Sequence, residues 1–502
     1  MKTNTVPAST PVDAGIAEHL ADSPAIIEAI RRRATGRAGH CRTLRLADLG
    51  IALPADYQRY LCTRFGDIIG MPSFDYLSKA PGSWLMVGDH RLEIAAGIRL
   101  LIERYGLGIG MLVLNLQQIR AGHILTSIEE DGERHSLAVP PDLLVGEGGE
   151  HILCIPLRRF RSDFERLAAL NIAKPAALWN RDNIITHERD AQPCAYCSCA
   201  EIHPAEVVVD LDGARHGLSR NYSLGFTFAP FGNPLTSVHF LAWDRSSTPL
   251  NMNRVPMTVS DLVKMTREIN QSIRSFFAET EVRDFPALDG ISNGWAGNTV
   301  FHQHFQFFAP EIPLPIVRAS ATSRPLIRRD DVTVQRLVWP SPAYRIQADE
   351  SLNTGLVGND VAGIWRLLGG SRRSPYKKFP PGHTATEEEL VPAHTQNVYI
   401  PGSALGRTAH LFLRDRERVD YLPGPDDFIR YAAGLRTQAK RNLGVLEVSG
   451  SVIMDDETVF ATMRSWTPAD VAQQVKQMIA STAPEKNKVA EFEAAAAELF
   501  PS

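Results

Sequence analysis

Residues 301–308, Phe301-His302-Gln303-His304-Phe305-Gln306-Phe307-Phe308, constrain this chain more than any other stretch. The run is rich in aromatics and free of Gly and Pro, which is the composition of a buried strand. Side chains two apart on a strand share a face. His302, His304 and Gln306 therefore line one side, about 7 Å between neighbours, while Phe301, Phe305 and Phe307 pack on the other. A single core histidine on a sheet needs no explanation, but three polar groups in a row on an otherwise apolar strand do.

Attack on phosphorus supplies one. A neutral imidazole is a competent nucleophile near pH 7 and its adduct leaves again easily, so one difficult displacement becomes two easier ones. His304, the middle residue, is placed for that role, and its neighbours on the same face can touch non-bridging oxygens or the leaving group. The approach to the strand is small and polar: Asn293, Gly294, Gly297, Asn298 and Thr299 let backbone and amide donors come close to phosphates.

The pattern Asn-Gly-x-x-Gly-Asn-Thr-x-x-His-x-His-x-Gln over residues 293–306 resembles the active-site strand of the histidine-triad superfamily. The match is to the branch in which Gln replaces the third His: galactose-1-phosphate uridylyltransferase, the diadenosine tetraphosphate phosphorylases and the GDP-hexose phosphorylases. This resemblance implies that His304 becomes nucleotidylated, with His302 beside it in the site. It also implies that Gln306 holds phosphate oxygens and that Asn293, Gly297, Asn298 and Thr299 flank the nucleotide. An amide donates hydrogen bonds but cannot supply a proton, so Gln306 favours transfer to a phosphate over transfer to water.

The segment PCAYCSCAEIH brings Cys194, Cys197, Cys199 and His203 together. A Cys-x-x-Cys pair can present two thiolates to one zinc, but a closed site needs four ligands. By resemblance to the uridylyltransferase, Cys194, Cys197 and His302 would be metal ligands. The fourth has no clear counterpart; Cys199 or His203 could substitute, and plain thiols without metal are the alternative. No organic cofactor is expected.

At 502 residues the chain allows two to four domains. A net charge of −4 argues against a general nucleic-acid or membrane surface. No apolar run approaches the ~20 residues needed to span a bilayer. The first residues, MKTNTVPASTPVDAG, lack the apolar core of a signal peptide, and six cysteines fit a reducing compartment, so a cytoplasmic protein is expected.

The fold expected from pattern and resemblance is α+β: tandem histidine-triad-like antiparallel sheets with covering helices, the second repeat degenerate, after an N-terminal extension of unknown fold. The divisions are 1–150, of unknown role; 151–320, catalytic; 321–480, the degenerate repeat; and 481–502, a C-terminal helix. Residues 24–34 and 92–105 pattern as helices, and the Gly106, Gly108, Gly110 series before MLVLNL reads as a turn. HILCIPL from His151 reads as a strand, with a helix over 160–170. YSLGFTFAPF and SVHFLAW read as strands, with His239 an ordinary packed residue in the second. A helix follows from Thr258, with Thr258 and Asp261 as a capping-box-like start and Leu262, Met265, Ile269, Ile273, Phe276 and Phe277 as its apolar stripe.

In the second repeat, HTQNVYIPG and HLFLRDRERVDY read as strands, PDDFIRYAAGLRTQAKRNLG as a helix and VLEVSGSVIM as a closing strand without His-x-His. A last helical stretch starts at Thr467 and Pro468. The basic groups Arg318, Arg324, Arg328, Arg329 and Arg372, Arg373, Lys377, Lys378 are expected mainly as solvated charge, with phosphate contact the sharper alternative for the second. The leading functional expectation is a nucleotidyltransferase or phosphorylase acting on a nucleoside diphosphate sugar or dinucleotide, with phosphate or a sugar phosphate as acceptor. The rivals are a hydrolase of the same superfamily and a nucleotide-binding protein without catalysis.

Overall fold

The computed structural model describes residues 44–45, 84–87, 90–120, 127–130, 133–136, 142–154, 209–226, 238–245, 258–278, 285, 287–296, 303–310, 312–329, 331–375, 384, 390–416, 443–454 and 457–500. Ten of its strands form one antiparallel sheet. In chain order these are β1 (Val209–Leu211), β2 (Tyr222–Phe226), β3 (His239–Asp244), β4 (Asp289–Ser292), β5 (His304–Phe308), β6 (Ile327–Arg329), β7 (Val332–Arg336), β8 (Ala343–Ala348), β9 (His394–Ile400) and β10 (Thr408–Asp415). Across the sheet the order is β6-β7-β8-β10-β9-β4-β5-β3-β2-β1.

That order is the same five-strand pattern written twice about its centre. Each half is a three-strand meander, then a helix, then two strands that add to the meander's inner edge. The meander strands have 3, 5 and 6 residues in either half. The registers agree as well. Leu241, third in β3, pairs with Gln306, Gln306 with Ile291, Ile291 with Tyr399, Tyr399 with His410, and His410 with Arg345, third in β8. This row is symmetric about its middle, so a pseudo-two-fold axis passes through the Ile291–Tyr399 pair.

Helices cover one face of the sheet. The two that belong to the repeats are α3 (Val259–Phe277) and α4 (Ser351–Leu368), which pack on one another. α1 (Ile94–Tyr105) packs on α2 (Leu107–Arg120), which lies against α3; against α4 lies α6 (Lys486–Leu499), after α5 (Pro468–Ser481). The expected stripe on α3 is buried at Leu262, Met265, Ile269, Ile273 and Phe277. At ~2 kcal/mol per buried large apolar side chain, that stripe contributes on the order of 10 kcal/mol before chain entropy is subtracted.

Two local expectations are corrected here. Gly106 does end α1, with φ 93°, but Gly108, Gly110 and MLVLNL continue as helix α2. A Cβ on Gly108 would lie 2.2 Å from the Ile269 carbonyl oxygen, so the glycine serves close packing of α2 on α3. Thr258 is the N-cap of α3 but makes no side-chain cap bond, and Asp261 forms no capping box. Its carboxylate instead accepts bonds from Ser219 N, Ser219 Oγ and Tyr222 OH, while Asn359 Oδ1 of α4 accepts from the N–H groups of Val259 and Ser260. Two of the orphan donors of this helix start are thus capped by its symmetry partner.

The other sheet face carries a second layer: a four-stranded sheet of Leu44–Arg45, Asp142–Val145, His151–Cys154 and Ser451–Met454, with α5 against it. Its apolar contacts take in Ile291, Phe308, Tyr399 and Phe412 from the large sheet. Two strands expected in the repeats therefore lie elsewhere. His151–Cys154 pairs in parallel with Ser451–Met454, and VLEVSGSVIM is a short helix, Val445–Val448, followed by that strand. The second half of the large sheet occupies Ile327–Asp415, with α4 as its helix; HTQNVYI and HLFLRD, the start of HLFLRDRERVDY, are strands as expected. The helices expected over 24–34, 160–170 and most of 425–444 lie outside the described residues. Pro468–Ser481 starts at Thr467 with a Thr467–Asp470 capping box. Among the described residues no helix is long and apolar enough to cross a membrane.

Candidate active site

Alternation along β5 sorts its side chains as the pattern predicts. Phe305 and Phe307 are buried on the helix side, Phe307 stacked on Phe240 with centroids 5.5 Å apart. His304 and Gln306 share the opposite face, His304 5% exposed and paired across to Trp243, Gln306 half-buried and paired to Leu241. His302, Gly297, Asn298 and Thr299 lie outside the described residues, as do Cys194 and Cys197. Among the described residues no group of three or more His, Cys, Asp or Glu could hold a metal ion.

His239 is a buried strand residue, as expected, and it also touches Gln306. Its Nε2 lies 3.2 Å from Gln306 Oε1, on the neighbouring strand and the same face. With Nε2–H donating to that oxygen, the amide is oriented with its NH2 end away from His239, as a donor to whatever lies over β5.

Asn293 follows β4 directly, two residues past the Ile291–Gln306 pair. Its Oδ1 accepts from Val445 N at 2.7 Å, and its carbonyl accepts from Asn397 Nδ2. Gly294 has φ 52°, and a Cβ there would sit 2.2 Å from the Gln396 carbonyl oxygen, so both conformation and space call for glycine. Trp295 N donates to Thr395 Oγ1 at 3.0 Å, and Arg416 Nη1 donates to the Trp295 carbonyl. Strands β9 and β10 of the second half therefore hold the start of the polar loop that leads into the first half's His304.

The axis region carries several perturbed groups. Burial pushes the Asp289 carboxyl up to about 7, against the bonds it accepts from Gly402 N and Tyr399 OH, each 2.7 Å. Burial, with Asp289 beside it, holds the Tyr399 phenol well above its usual range. His410 stacks on Tyr399 with centroids 5.5 Å apart and is buried with neither ring nitrogen hydrogen-bonded; burial, then the Arg345 charge, lower its pKa to about 3. On the helix side, Arg220 bridges Asp244 at 2.6 Å and Gln303 Oε1 at 3.2 Å, fixing the residue before His304.

Symmetry identifies the counterpart of each residue in β5. His304 pairs with Trp243, fifth in β3, and Thr408 pairs with Gln347, fifth in β8. Thr408 thus stands where His304 would be, and His410 where Gln306 would be. The second half has no imidazole at the position equivalent to His304. Of the basic groups, Arg372 is tied to Asp415 at 3.3 Å, Arg328 and Arg329 are exposed, and Lys377 and Lys378 lie outside the described residues. Asn397, Arg414, Tyr399 and Asp289 were not singled out from sequence as site residues; the polar members of an apolar strand, such as Asn397 and Arg414, were the available signal. Comparisons with protein-family models, with curated proteins and with solved structures find no match.

Proposed function

We propose that this chain is a nucleotidyltransferase of the histidine-triad type, built as two fused repeats of which the first is catalytic. Its donor is a nucleoside diphosphate sugar or a dinucleotide, and its acceptor is phosphate or a sugar phosphate. An imidazole nitrogen of His304 attacks the nucleotide's α-phosphorus; a P–N bond forms, the P–O bond to the leaving phosphate breaks, and its electron pair leaves on that oxygen. An acceptor phosphate oxygen then attacks the same phosphorus, and the bond pair returns to the imidazole.

The observation that carries this reading is that His304 and Gln306 share the face of β5 opposite the helices, with Gln306's amide oriented by His239. A donor amide two residues from the nucleophile stabilises charge on the phosphoryl oxygens without protonating a leaving group. The clamp on Asn293, Gly294 and Trp295 supports a preorganised approach, and Gly297, Asn298 and Thr299 would flank the nucleotide. His302 would stand on the same face, and with Cys194 and Cys197 it would hold zinc, a structural metal that fixes the loop against the strand. We take the protein to be cytoplasmic, acting on small molecules. Incubation with a panel of nucleotide sugars and dinucleotides, with and without phosphate, should give phosphate-dependent cleavage of one donor class. Cleavage at the same rate in water alone would contradict transfer.

A further inference from the structure

We infer that Arg414 anchors a second phosphate subsite across the pseudo-two-fold axis from His304, which holds the phosphate dianion of the acceptor. The inference rests on the transferase reading above and adds to it where the acceptor binds. Arg414 is on β10, on the same sheet face as His410 and Phe412, and is fully buried. Its Nη1 donates to Asn397 Oδ1 and to the Leu443 carbonyl, the latter at 3.0 Å. Its Nε and Nη2 have no hydrogen-bond partner, and no carboxylate pairs with it among the described residues.

Those two nitrogens are not an arbitrary remainder. Nε–H and the Nη2 group point the same way and form the side edge of the guanidinium, the edge that takes two oxygens of a phosphate in parallel. A buried cation without a counter-charge is among the least favourable arrangements in a protein interior. Burial alone brings its pKa down to about 9, so the group is still charged at pH 7. A structural brace to Asn397 and Leu443 uses one terminal nitrogen, and a neutral amide could supply that. The remaining edge matches an anionic ligand.

Position ties this edge to the site. Asn397, which Arg414 grips, itself donates to the Asn293 carbonyl, and Arg416, buried just past the end of β10, donates to the Trp295 carbonyl. Arg416 thus touches the loop that approaches His304, and Arg414 is linked to it through Asn397. Because it bonds to Asn397, the guanidinium leans over β9, roughly 10 Å or two strand spacings from the β5 backbone. That is too far to share the phosphorus under attack at His304 but suits a second phosphate group beside it.

The test is thermal melting of the full-length protein in sodium chloride against sodium phosphate at matched ionic strength, with a hexose 1-phosphate as a further arm. Phosphate should raise the wild-type melting temperature by mass action. R414M should melt at the same or a higher temperature than wild type in chloride, since it removes an uncompensated buried charge, and should lose the phosphate increment. R414K, which keeps the charge without the fork, should lose most of it, and serves as the test variant if R414M fails to fold. A larger increment with the monoester identifies a sugar phosphate as acceptor; a larger one with inorganic phosphate identifies a phosphorylase. H304A should keep the increment, so retention there without any covalent adduct would leave the subsite standing and remove the transferase reading. Equal increments in wild type and the Arg414 variants, or none in wild type with either ligand, would overturn the subsite.

Discussion

Gln306 differs from a histidine in that its amide can donate but cannot deliver a proton, and under the proposed transferase mechanism this difference would set the partition between acceptors. Replacing it by His restores a proton donor at the third position. Gln306→His should raise the ratio of hydrolysis to transfer by at least about tenfold, with slower transfer overall; product analysis in water with and without phosphate measures this, and an unchanged ratio would relieve Gln306 of that role. Asp289 makes a separate prediction. Its folded pKa is about 7 and its unfolded value near 4, so between those limits the native state binds the extra proton and stability falls as pH rises. The slope is at most about 1.4 kcal/mol per pH unit. Asp289→Asn removes that term, so its melting temperature should gain on wild type as pH goes from 5 to 8; parallel curves would contradict the buried-acid assignment.

At the level of elements, the strands with the clearest alternation were legible. β2, β3, β5, β9 and β10 from His410 on lie where their patterns put them, and so does the sorting of His304 and Gln306 from Phe305 and Phe307. What was missed has physical causes. α4 carries Gly355, Gly358 and Gly363, which weaken any helical signal. Yet Gly355 and Gly358 let α4 approach α3, with Cβ positions only 2.8 Å from Ser260 Cα and 2.7 Å from Val259 Cγ1. Without a helical signal for α4, the pattern gives the second half a helix over 425–444 and VLEVSGSVIM as closing strand, because apolar β-branched runs do not announce which sheet they join. Asn397 and Arg414 were invisible as site residues because their partners come from β4's end and from Leu443, far away in sequence. The same close packing predicts that Gly108→Ala, whose methyl meets the Ile269 carbonyl, should cost about 1–3 kcal/mol in urea unfolding; a neutral effect would mean that α2 can lift off α3 freely.

For the molecule as a whole, two like halves divide the work unequally. The first half supplies His304 and Gln306, and the second, with Thr408 and His410 at those positions, supplies the residues that brace the approach loop. Fusing the halves through β4 and β9 lets Asn397 and Arg416 of one reach the Asn293 and Trp295 backbone of the other, so the site is completed across the pseudo-two-fold axis. The most direct test of this account is the mass of the protein after incubation with its donor and no acceptor. The account predicts a gain of one nucleoside monophosphate on the peptide containing His304, stable to alkali, labile to acid as a phosphoramidate is, discharged by phosphate or sugar phosphate, and abolished in His304→Ala. An unmodified His304 during turnover, or undiminished turnover in His304→Ala, would contradict it.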